Sequence, residues 1–483
     1  MPPICLTLAC PDRNSLQQAI QAHSGSIAWI EVRLDALDKP RLPSLPRPTS
    51  TRFVATCRPS RQGGGWTGSE RERLELLQEA ARAGFAWIDL EHDVERGLDL
   101  PSQVSVLRSL HDFQGMPDSL DSAYHKLRQR GDGAKLAVTV KGTAQLVKLL
   151  DFMAQLAPQE SRVVLGMGEY GQPSRLLGAF LGNLWTYVAE DQENLAAPGQ
   201  FGLGQARLYR LESWSEAPPF YGVLGRPVAQ SLSPLLHNRL MAHHGVPGIY
   251  LPLLVDDLAA WMGWLQRTPL QFRGLSVTLP YKQKIIPFLS ENDSPIDSVN
   301  TLRRLAGPTW RGINTDYQGF LSPLLKRRRL AGETAVVLGN GGVARTVVKA
   351  LLDQRMQVTV VGRNQQRVQT LAQDLGCRHA TFQDLPIEAQ VCVNTTPVGQ
   401  HPDEDASPLP AQHVRFEVVY DLIYNPRHTK LLNEAQSRGA EVISGLEMFV
   451  EQAALQFRFW TGIDPDRRFM ERILREVLEA RDA

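Results

Sequence analysis

The sequence predicts an α/β protein whose first half is a (β/α)8 TIM barrel and whose second half is a two-lobed unit with a Rossmann domain. Eight short apolar runs alternate with helical segments before residue 190. A glycine-rich turn joins a strand to a helix near residue 340. The first observation predicts the barrel, and the second predicts the Rossmann domain.

Each of the eight runs is rich in the β-branched, aromatic and leucine residues of a strand that is buried on both faces. The runs are Ile4–Leu8, Ala28–Arg33, Phe53–Cys57, Trp87–Glu91, Val104–Ser109, Leu136–Val140, Arg162–Met167 and Leu184–Ala189. Between the third and fourth runs, Ser69–Gly84 opens on a serine cap, repeats apolar residues at helical spacing and ends at glycine. Lys135 at the head of the sixth run and His111 after the fifth are expected to share one pocket, because functional residues of such barrels come from strand ends.

Length and composition indicate a multidomain globular protein. A chain of 483 residues predicts two or three domains, and its net charge of +1 gives no general reason to expect nucleic acid as a partner. We interpret the basic run 326–329 as a solvated segment between domains. Five cysteines without CxxC spacing favour free thiols, and we expect no leader, no membrane span, no metal and a cytoplasmic location.

A polar stretch that carries Pro218 and Pro219 marks a boundary near 212–219. We therefore predict a barrel over 1–213, a second domain over 219–326 that the C-terminal helices of 450–483 complete, and a Rossmann domain over 327–449.

The glycine-rich turn predicts a dinucleotide site. Its glycines allow the backbone to approach a pyrophosphate at the start of a helix, and the cofactor residues expected here are Gly339, Gly341, Gly342 and Ala344. The next strand ends in Gly362 and Arg363, with Arg367 one turn further, where an NAD site would carry a carboxylate. Because guanidinium groups bind phosphate oxygens, the two arginines favour NADP over NAD. The alternative is that both are ordinary exposed residues at a helix start.

Seven segments of the second half, in order along residues 220–483, together resemble shikimate dehydrogenase. They are Gly225–Asn238, Ser276–Lys282, Ser298–Thr301, Gly312–Asp316, Asn394–Gly399, Asp421–Leu432 and Gly445–Gln452. The resemblance implies that Lys282 and Asp316 are catalytic. It also implies substrate contacts from Ser231, Ser233, Thr278, Asn300, Tyr424 and Gln452, and cofactor contacts from Thr396 and Gly445.

The residue types suit this chemistry independently of the resemblance. Reduction of a ketone by hydride requires a proton at the developing alkoxide, and a lysine ammonium beside a carboxylate can hold and donate it. Asn314, Thr315 and Asp316 could alternatively form a helix cap, and Asp316 could serve both purposes. One departure is visible, since the family commonly has Asn-Arg-Thr where this chain reads Gly362, Arg363 and Asn364.

The first half, over about residues 1–210, resembles type I 3-dehydroquinate dehydratase. The resemblance rests on Glu31–Asp35, Thr56–Gly65, Ser109–Phe113, Lys135–Val138, Pro173–Arg175 and Ala197–Gln200. It implies that Lys135 forms a Schiff base with the substrate ketone and that His111 is the general base and acid. Substrate contacts are expected from Glu31, Arg33, Arg58, Arg175 for the carboxylate and Gln200 for a hydroxyl.

This half departs from its family at two single positions and in the segment 166–175, which differs from the usual Ser/Met-rich form. Gln62 stands where the family has a glutamate that supports the catalytic histidine, and Ala196 stands where a serine is frequent. An amide can hydrogen-bond but cannot stabilise an imidazolium by charge. We therefore expect an active but slower dehydratase with a shifted pH optimum.

Taken together, the two resemblances imply two successive steps of the route to chorismate, because the product of the first reaction is the substrate of the second. The expected partners are 3-dehydroquinate, 3-dehydroshikimate and shikimate, with no nucleic acid and no membrane. One alternative is a quinate/shikimate oxidoreductase with an inactive barrel. Another is a non-enzymatic metabolite sensor, which predicts loss of Lys135, Lys282 or Asp316, although all three are present. The sequence leaves the oligomeric state open.

Overall fold

The computed structural model describes residues 3–47, 49–95, 97–191, 197 and 199–482. Ala196, one of the departures noted above, lies outside the described residues. Contacts between Cα atoms divide the chain into one unit of residues 1–230 with 247–272 and another of residues 231–246 with 273–483. The three-domain division drawn from the sequence stays a prediction.

The first unit confirms the predicted α/β barrel. Its parallel strands follow the order β7-β6-β5-β4-β3-β2-β1-β8-β9, so that the eighth strand pairs with the first. The strands are β1 Ile4–Leu8, β2 Trp29–Arg33, β3 Arg52–Thr56, β4 Trp87–Glu91, β5 Ser105–Asp112, β6 Gly133–Thr139, β7 Arg162–Met167, β8 Thr186–Ala189 and β9 Phe201–Gly202. The helices are α1 Arg13–His23, α2 Glu70–Ala83, α3 Leu120–Arg128, α4 Thr143–Gln155, α5 Gln172–Phe180 and α6 Leu203–Leu208.

The two ends of the helix α2 are determined by its capping residues. Ser69 caps its first turn and exchanges hydrogen bonds with Glu72, and Gly84 ends it in the left-handed conformation, with φ of 106°. The prediction for Ser69–Gly84 is therefore confirmed at both ends.

Two strands extend beyond their apolar runs. The strand β6 begins at Gly133, so Lys135 is its third residue and does not precede it, and β5 continues to Asp112, so His111 lies within it. The ladder pairs Ser109 with Lys135 and His111 with Ala137. Polar side chains do not interrupt this ladder, because its hydrogen bonds are made by the backbone. Lys135 is thus held inside the barrel wall.

The first unit also contains a parallel strand pair after the barrel. The strand β10 (Phe220–Gly225) pairs with β11 (Ile249–Leu254), and the helix α8 (Leu258–Arg267) packs against α4. Nη2 of Arg267 lies 2.6 Å from Oδ2 of Asp151, and the backbone N of Asp256 donates to Oγ1 of Thr143 at 2.9 Å.

The second unit has two parts, of which the first holds the helices α7 and α9. Its elements are α7 Ser233–His243, β12 Phe272–Val277, β13 Glu291–Asn292, β14 Thr301–Arg304, β15 Trp310–Ile313 and α9 Thr315–Leu325. The strand β14 pairs antiparallel with β12 and β15, and β15 pairs parallel with β13.

The other part is the predicted Rossmann domain, a parallel sheet in the order β18-β17-β16-β19-β20-β21. The strand order reverses between β16 and β19, which is where ligands bind such sheets. Its strands are β16 Thr334–Leu338, β17 Gln357–Gly362, β18 Arg378–Thr381, β19 Val391–Asn394, β20 Val418–Asp421 and β21 Glu441–Ser444. Its helices are α10 Gly342–Asp353, α11 Gln365–Leu375 and α12 Lys430–Ser437, and the chain ends with α13 Gly445–Thr461 and α14 Arg467–Asp482.

In the basic run 326–329, Lys326 and Arg329 are exposed, as expected of a solvated segment, whereas Arg327 and Arg328 are partly buried. Lys326, Arg327 and Arg328 follow α9 directly and pair with carboxylates of the second unit, namely Glu451 for Lys326, Glu441 and Glu447 for Arg327, and Glu333 and Glu417 for Arg328. These partners could not be predicted from the sequence, because they lie up to 125 residues from the basic run along the chain. In the described part of the chain, no helix combines the length and apolar character needed to cross a membrane.

Candidate active sites

The mouth of the barrel holds a pocket around Lys135, whose side chain is buried. Its Nζ lies 2.9 Å from Oδ2 of Asp89 and 3.5 Å from Oε1 of Glu31, and 4.2 Å above the ring of Tyr187. The pocket is lined by Thr7, Glu31, Arg33, Arg58, Gln62, Gly63, His111, Phe113, Lys135, Ala137, Leu165, Met167, Arg175, Tyr187, Ala197 and Gln200. The structure thus brings together all of the predicted dehydratase residues.

Beneath Lys135 lies a buried charge network that the sequence analysis missed. Arg58 donates to Oδ2 of Asp89 at 2.7 Å, to Oε1 of Glu91 at 3.0 Å and to Oγ of Ser109 at 2.9 Å. Ser109 in turn donates to Oδ1 of Asp89 at 2.6 Å. Burial opposes ionisation of Asp89, but Arg58 and Lys135 outweigh it and hold the pKa of this carboxyl well below its usual range.

A signal for these two carboxylates was present in the sequence. Asp89 and Glu91 occupy alternate positions of the apolar run Trp87–Glu91, and alternate residues of a strand face the same side. A strand buried on both faces places such carboxylates in the interior, where they need a cationic partner. Arg58 is that partner, in addition to lining the pocket.

His111 is positioned as a neutral imidazole. Its ring stacks on Phe113 with centroids 6.2 Å apart, and Oε1 of Gln62 accepts a hydrogen bond from its backbone N at 3.4 Å. Burial, Arg58 and Lys135 together hold the pKa of His111 well below 6.5. An uncharged imidazole can accept a proton, as a general base must.

Two further arginines reach the pocket. Arg33 forms a two-pronged pair with Asp35, at 3.0 Å and 2.7 Å. Arg175 is buried on the helix α5, and burial lowers its pKa to about 10. Gln200 is also buried beside the pocket. Together these groups provide cationic and polar contacts for a small carboxylated polyol.

The second unit contains a groove at the carboxyl end of the Rossmann sheet. One cavity of about 610 Å³ adjoins another of about 470 Å³, and Asn340, Gly341 and Arg367 line both. At Gly339, with φ of 112°, a Cβ atom would lie 2.4 Å from Oγ1 of Thr395. Only glycine therefore permits this close turn.

The predicted cofactor residues take different positions around this groove. Gly339, Arg363, Arg367 and Thr396 line the larger cavity, and Gly342 lines the smaller one. Ala344 instead lies in the apolar core beneath α10. Gly445 is also buried, and a Cβ there would lie 2.2 Å from the carbonyl oxygen of Leu422. These two positions need small residues for packing.

Arg363 and Arg367 flank the start of the helix α11. Asn364 caps this helix by accepting a hydrogen bond from the backbone N of Arg367 at 3.0 Å. Both arginines are exposed, and in the described part of the chain neither forms an ion pair. Their guanidinium groups therefore remain available to a phosphate in the cavity that they line.

Lys282 and Asp316 meet beside the smaller cavity. Nζ of Lys282 donates to Oδ2 of Asp316 at 2.6 Å, and Lys282 lines the cavity that also contains Gly341 and Gly342. Asn314 caps the helix α9 by accepting from the backbone N of Tyr317 at 3.1 Å. Because Asn314 is the cap, the Asp316 carboxylate is free to bind Lys282.

Five of the six predicted substrate residues of the second unit form three local groups, and Thr278 lies apart from them. Oδ1 of Asn300 accepts from the backbone N of Thr315 at 2.8 Å, next to Asp316. Tyr424 packs on the ring of Phe449 with centroids 5.3 Å apart, and Nε2 of Gln452 donates to the carbonyl of Phe449 at 3.2 Å.

The third group is at the start of α7, where the backbone N of Ser233 donates to Oγ of Ser231 at 3.3 Å. Thr278 follows β12 directly, and its carbonyl accepts from the backbone N of Tyr281 at 3.0 Å. Among the described residues, the side chains of Ser231, Ser233 and Thr278 form no hydrogen bond with Lys282 or Asp316.

Four segments of this chain match models of known protein families. Residues 4–211 match the family model of type I 3-dehydroquinase. Residues 223–302 match that of the shikimate dehydrogenase substrate binding domain, residues 324–396 that of shikimate/quinate 5-dehydrogenase, and residues 445–475 that of the shikimate 5'-dehydrogenase C-terminal domain.

One relative matches both halves of the chain. The chloroplastic bifunctional 3-dehydroquinate dehydratase/shikimate dehydrogenase of Arabidopsis thaliana is 30% identical, and the alignment covers 94% of this chain and 81% of that protein. The chain belongs to this bifunctional family.

Other relatives match its second half alone. The NADP(+) shikimate dehydrogenase of Thermus thermophilus is 40% identical over 53% of this chain and 98% of its own. A shikimate dehydrogenase solved in complex with NADP+ is 29% identical, with a TM-score of 0.51, and the match covers 54% of this chain and 96% of that one.

Proposed function

We propose that this chain dehydrates 3-dehydroquinate to 3-dehydroshikimate in its barrel and reduces 3-dehydroshikimate to shikimate with NADPH in its second unit. Its place would be in chorismate and aromatic amino acid biosynthesis. The observation that supports this proposal is the presence of two side-chain clusters, a buried Lys135 that shares a pocket with His111 and a Lys282–Asp316 pair beside a groove at the glycine-rich turn.

In the barrel, Nζ of Lys135 attacks the substrate ketone and water leaves to form an imine. The protonated imine withdraws electrons, so the neutral imidazole of His111 removes a proton from the adjacent carbon. The electron pair then expels the hydroxyl of the next carbon as water, with a proton returned by His111. Hydrolysis of the imine releases the unsaturated ketone and restores Lys135.

The charges around Lys135 support these steps. Asp89 and Glu31 lie within 2.9 Å and 3.5 Å of Nζ, and they stabilise a cationic nitrogen when the imine is protonated. Arg33 and Arg175 provide positive charge for the substrate carboxylate.

In the second unit, Lys282 donates a proton to the oxygen of the reduced ketone, and Asp316 orients its ammonium group. Bound NADPH supplies the hydride. The fit of this cofactor rests on the close glycine turn at Gly339 and on the arginines 363 and 367 at the helix start, which form no ion pair with the residues that the structure describes. The 2′-phosphate of NADP carries the charge that these arginines complement.

We further propose that the protein acts in the cytoplasm on small carboxylated molecules alone, without nucleic acid, membrane or metal as a partner. Its five cysteines occur as free thiols in the structure, which suits a reducing compartment.

The test is the loss of NADPH absorbance when 3-dehydroquinate is added to the purified chain. Wild-type protein should consume NADPH with either 3-dehydroquinate or 3-dehydroshikimate. Lys135→Ala should respond only to 3-dehydroshikimate, and Lys282→Ala should respond to neither while still producing 3-dehydroshikimate. A wild-type signal with 3-dehydroshikimate alone would overturn the dehydratase assignment. Silence with both substrates would favour a sensor.

A further inference from the structure

A buried carboxylate beneath the cofactor groove is absent from the reactions described above. Asp421 ends the strand β20 and is fully buried. Three donors reach it, namely Nδ2 of Asn394 at 2.9 Å, Oγ1 of Thr429 at 2.7 Å and the backbone N of Ile423 at 3.1 Å. No residue in the described part of the chain forms an ion pair with it.

Burial also affects the ionisation of this carboxyl. It raises the pKa of Asp421 to about 6, although the three donors oppose this shift. Strongly shifted carboxyls of this kind cluster at functional sites, and Asp421 lies at the carboxyl end of the Rossmann sheet.

The carboxylate of Asp421 sets the orientation of the Asn394 side-chain amide. An ionised carboxylate only accepts hydrogen bonds, so the NH2 group of Asn394 must face Asp421. Oδ1 of Asn394 consequently faces the other way, where it accepts from the backbone N of Thr396 at 3.0 Å and from its Oγ1 at 2.7 Å. Thr396 lines the larger cavity of the dinucleotide groove.

We propose that Asp421 is a positioning residue for the dinucleotide, because it orients the Asn394 amide and thereby holds Thr396 in the conformation that the cofactor meets. This inference rests on the proposed function of the same groove. Oδ1 of Asp421 accepts from both Nδ2 of Asn394 and the backbone N of Ile423, so asparagine at 421 would place its oxygen there and keep the orientation of Asn394. Leucine at 421 removes this acceptor. The amide of Asn394 could then face either way, and in one orientation its NH2 group would meet the two donors of Thr396.

The experiment measures NADPH binding to the full-length chain by fluorescence titration. We expect Asp421→Leu to raise the Kd for NADPH about tenfold, as for the loss of one ordinary hydrogen bond. The conservative variant Asp421→Asn keeps the acceptor for Asn394, so its Kd should stay within about threefold of wild type.

Controls separate positioning from damage to the fold. The dehydratase rate of each variant reports on the first unit of the same chain and should stay unchanged. Asp353→Asn removes a carboxylate from the end of α10, outside the residues that line the two cavities, and should leave the Kd unchanged. If Asp421→Leu does not fold, Thr396→Val removes the last hydroxyl of the chain of hydrogen bonds, and its Kd should rise instead.

Each outcome decides the inference. An unchanged Kd in Asp421→Leu, or in Thr396→Val where that variant replaces it, overturns the proposal. An equal increase in Asp421→Leu and Asp421→Asn also overturns it, since the acceptor for the Asn394 amide would then not matter. Wild-type protein that fails to bind NADPH overturns the proposed reductase function as well, whereas normal wild-type binding confines a failure to this inference.

Discussion

Nζ of Lys135 and Nη2 of Arg58 both bind Oδ2 of Asp89, at 2.9 Å and 2.7 Å. One buried oxygen therefore binds both the Lys135 amine and the Arg58 guanidinium. Neutralising this carboxylate would leave two cations close together in a buried site with fewer anions to balance them.

The first prediction concerns Asp89→Asn, which keeps the shape of the side chain and removes its charge. We expect the free energy of unfolding to fall by about 3 kcal/mol, as when one partner of a buried ion pair is lost. We expect the dehydratase kcat/KM to fall about 100-fold, because Lys135 loses its closest anchor. Urea unfolding and a dehydratase assay measure the two effects. Asp93→Asn, an exposed partner of Arg61, is the control, and a variant as stable as wild type would contradict the account.

The second prediction concerns Gln62→Glu. A carboxylate beside His111 would raise the pKa of its imidazole, which burial, Arg58 and Lys135 now hold well below 6.5. A histidine that is more basic but still uncharged at neutral pH removes a proton faster, so the dehydratase rate near pH 7 should rise about three- to tenfold. The acid limb of the pH profile should move upward. Gln62→Met is the uncharged control, and a profile that does not move would refute the role assigned to residue 62.

The third prediction separates two nearby lysines. Lys282→Met should lower the reductase kcat by about 1,000-fold, because it removes the proton donor beside Asp316. Lys284→Met, two residues further along and exposed, should leave kcat within about twofold of wild type. The dehydratase rate should remain unchanged in both proteins. Equal losses in the two variants would show that the local segment matters and the Lys282 ammonium does not.

The fourth prediction concerns stability in mild acid. His237 is fully buried in the second unit, and burial lowers its pKa to about 3. The folded protein therefore keeps this imidazole neutral, whereas the unfolded chain takes up a proton below about pH 6.5. Stability is lost as pH falls below 6.5, and at pH 5 this histidine alone accounts for about 2 kcal/mol.

Urea unfolding of wild type and His237→Gln at pH 7 and pH 5 measures this contribution. The loss of stability between the two pH values should be about 2 kcal/mol smaller in the variant. If both proteins lost the same amount, His237 would not be the group that titrates.

Local sequence alone determined the architecture of this protein. Apolar runs of strand length, the capping residues of α2 and the close turn at Gly339 act within a few residues, so their signals could be read directly. The strand pattern also predicted that Lys135 and His111 share one pocket. The other residues of that pocket, and the pair Lys282 and Asp316, were expected from the family resemblances, and the fold brings the pair within 2.6 Å of each other.

Tertiary structure decided which charges meet. In the sequence, Asp89 and Glu91 interrupt an apolar strand without a visible partner. The structure shows that Arg58 binds both carboxylates. The basic run after α9 suggested a solvated linker, and only the fold showed its carboxylate partners. The physical reason is the sequence distance between the residues that interact. Hydrophobic periodicity and caps are properties of neighbouring residues, whereas a buried ion pair or an oriented amide depends on side chains that only packing brings together.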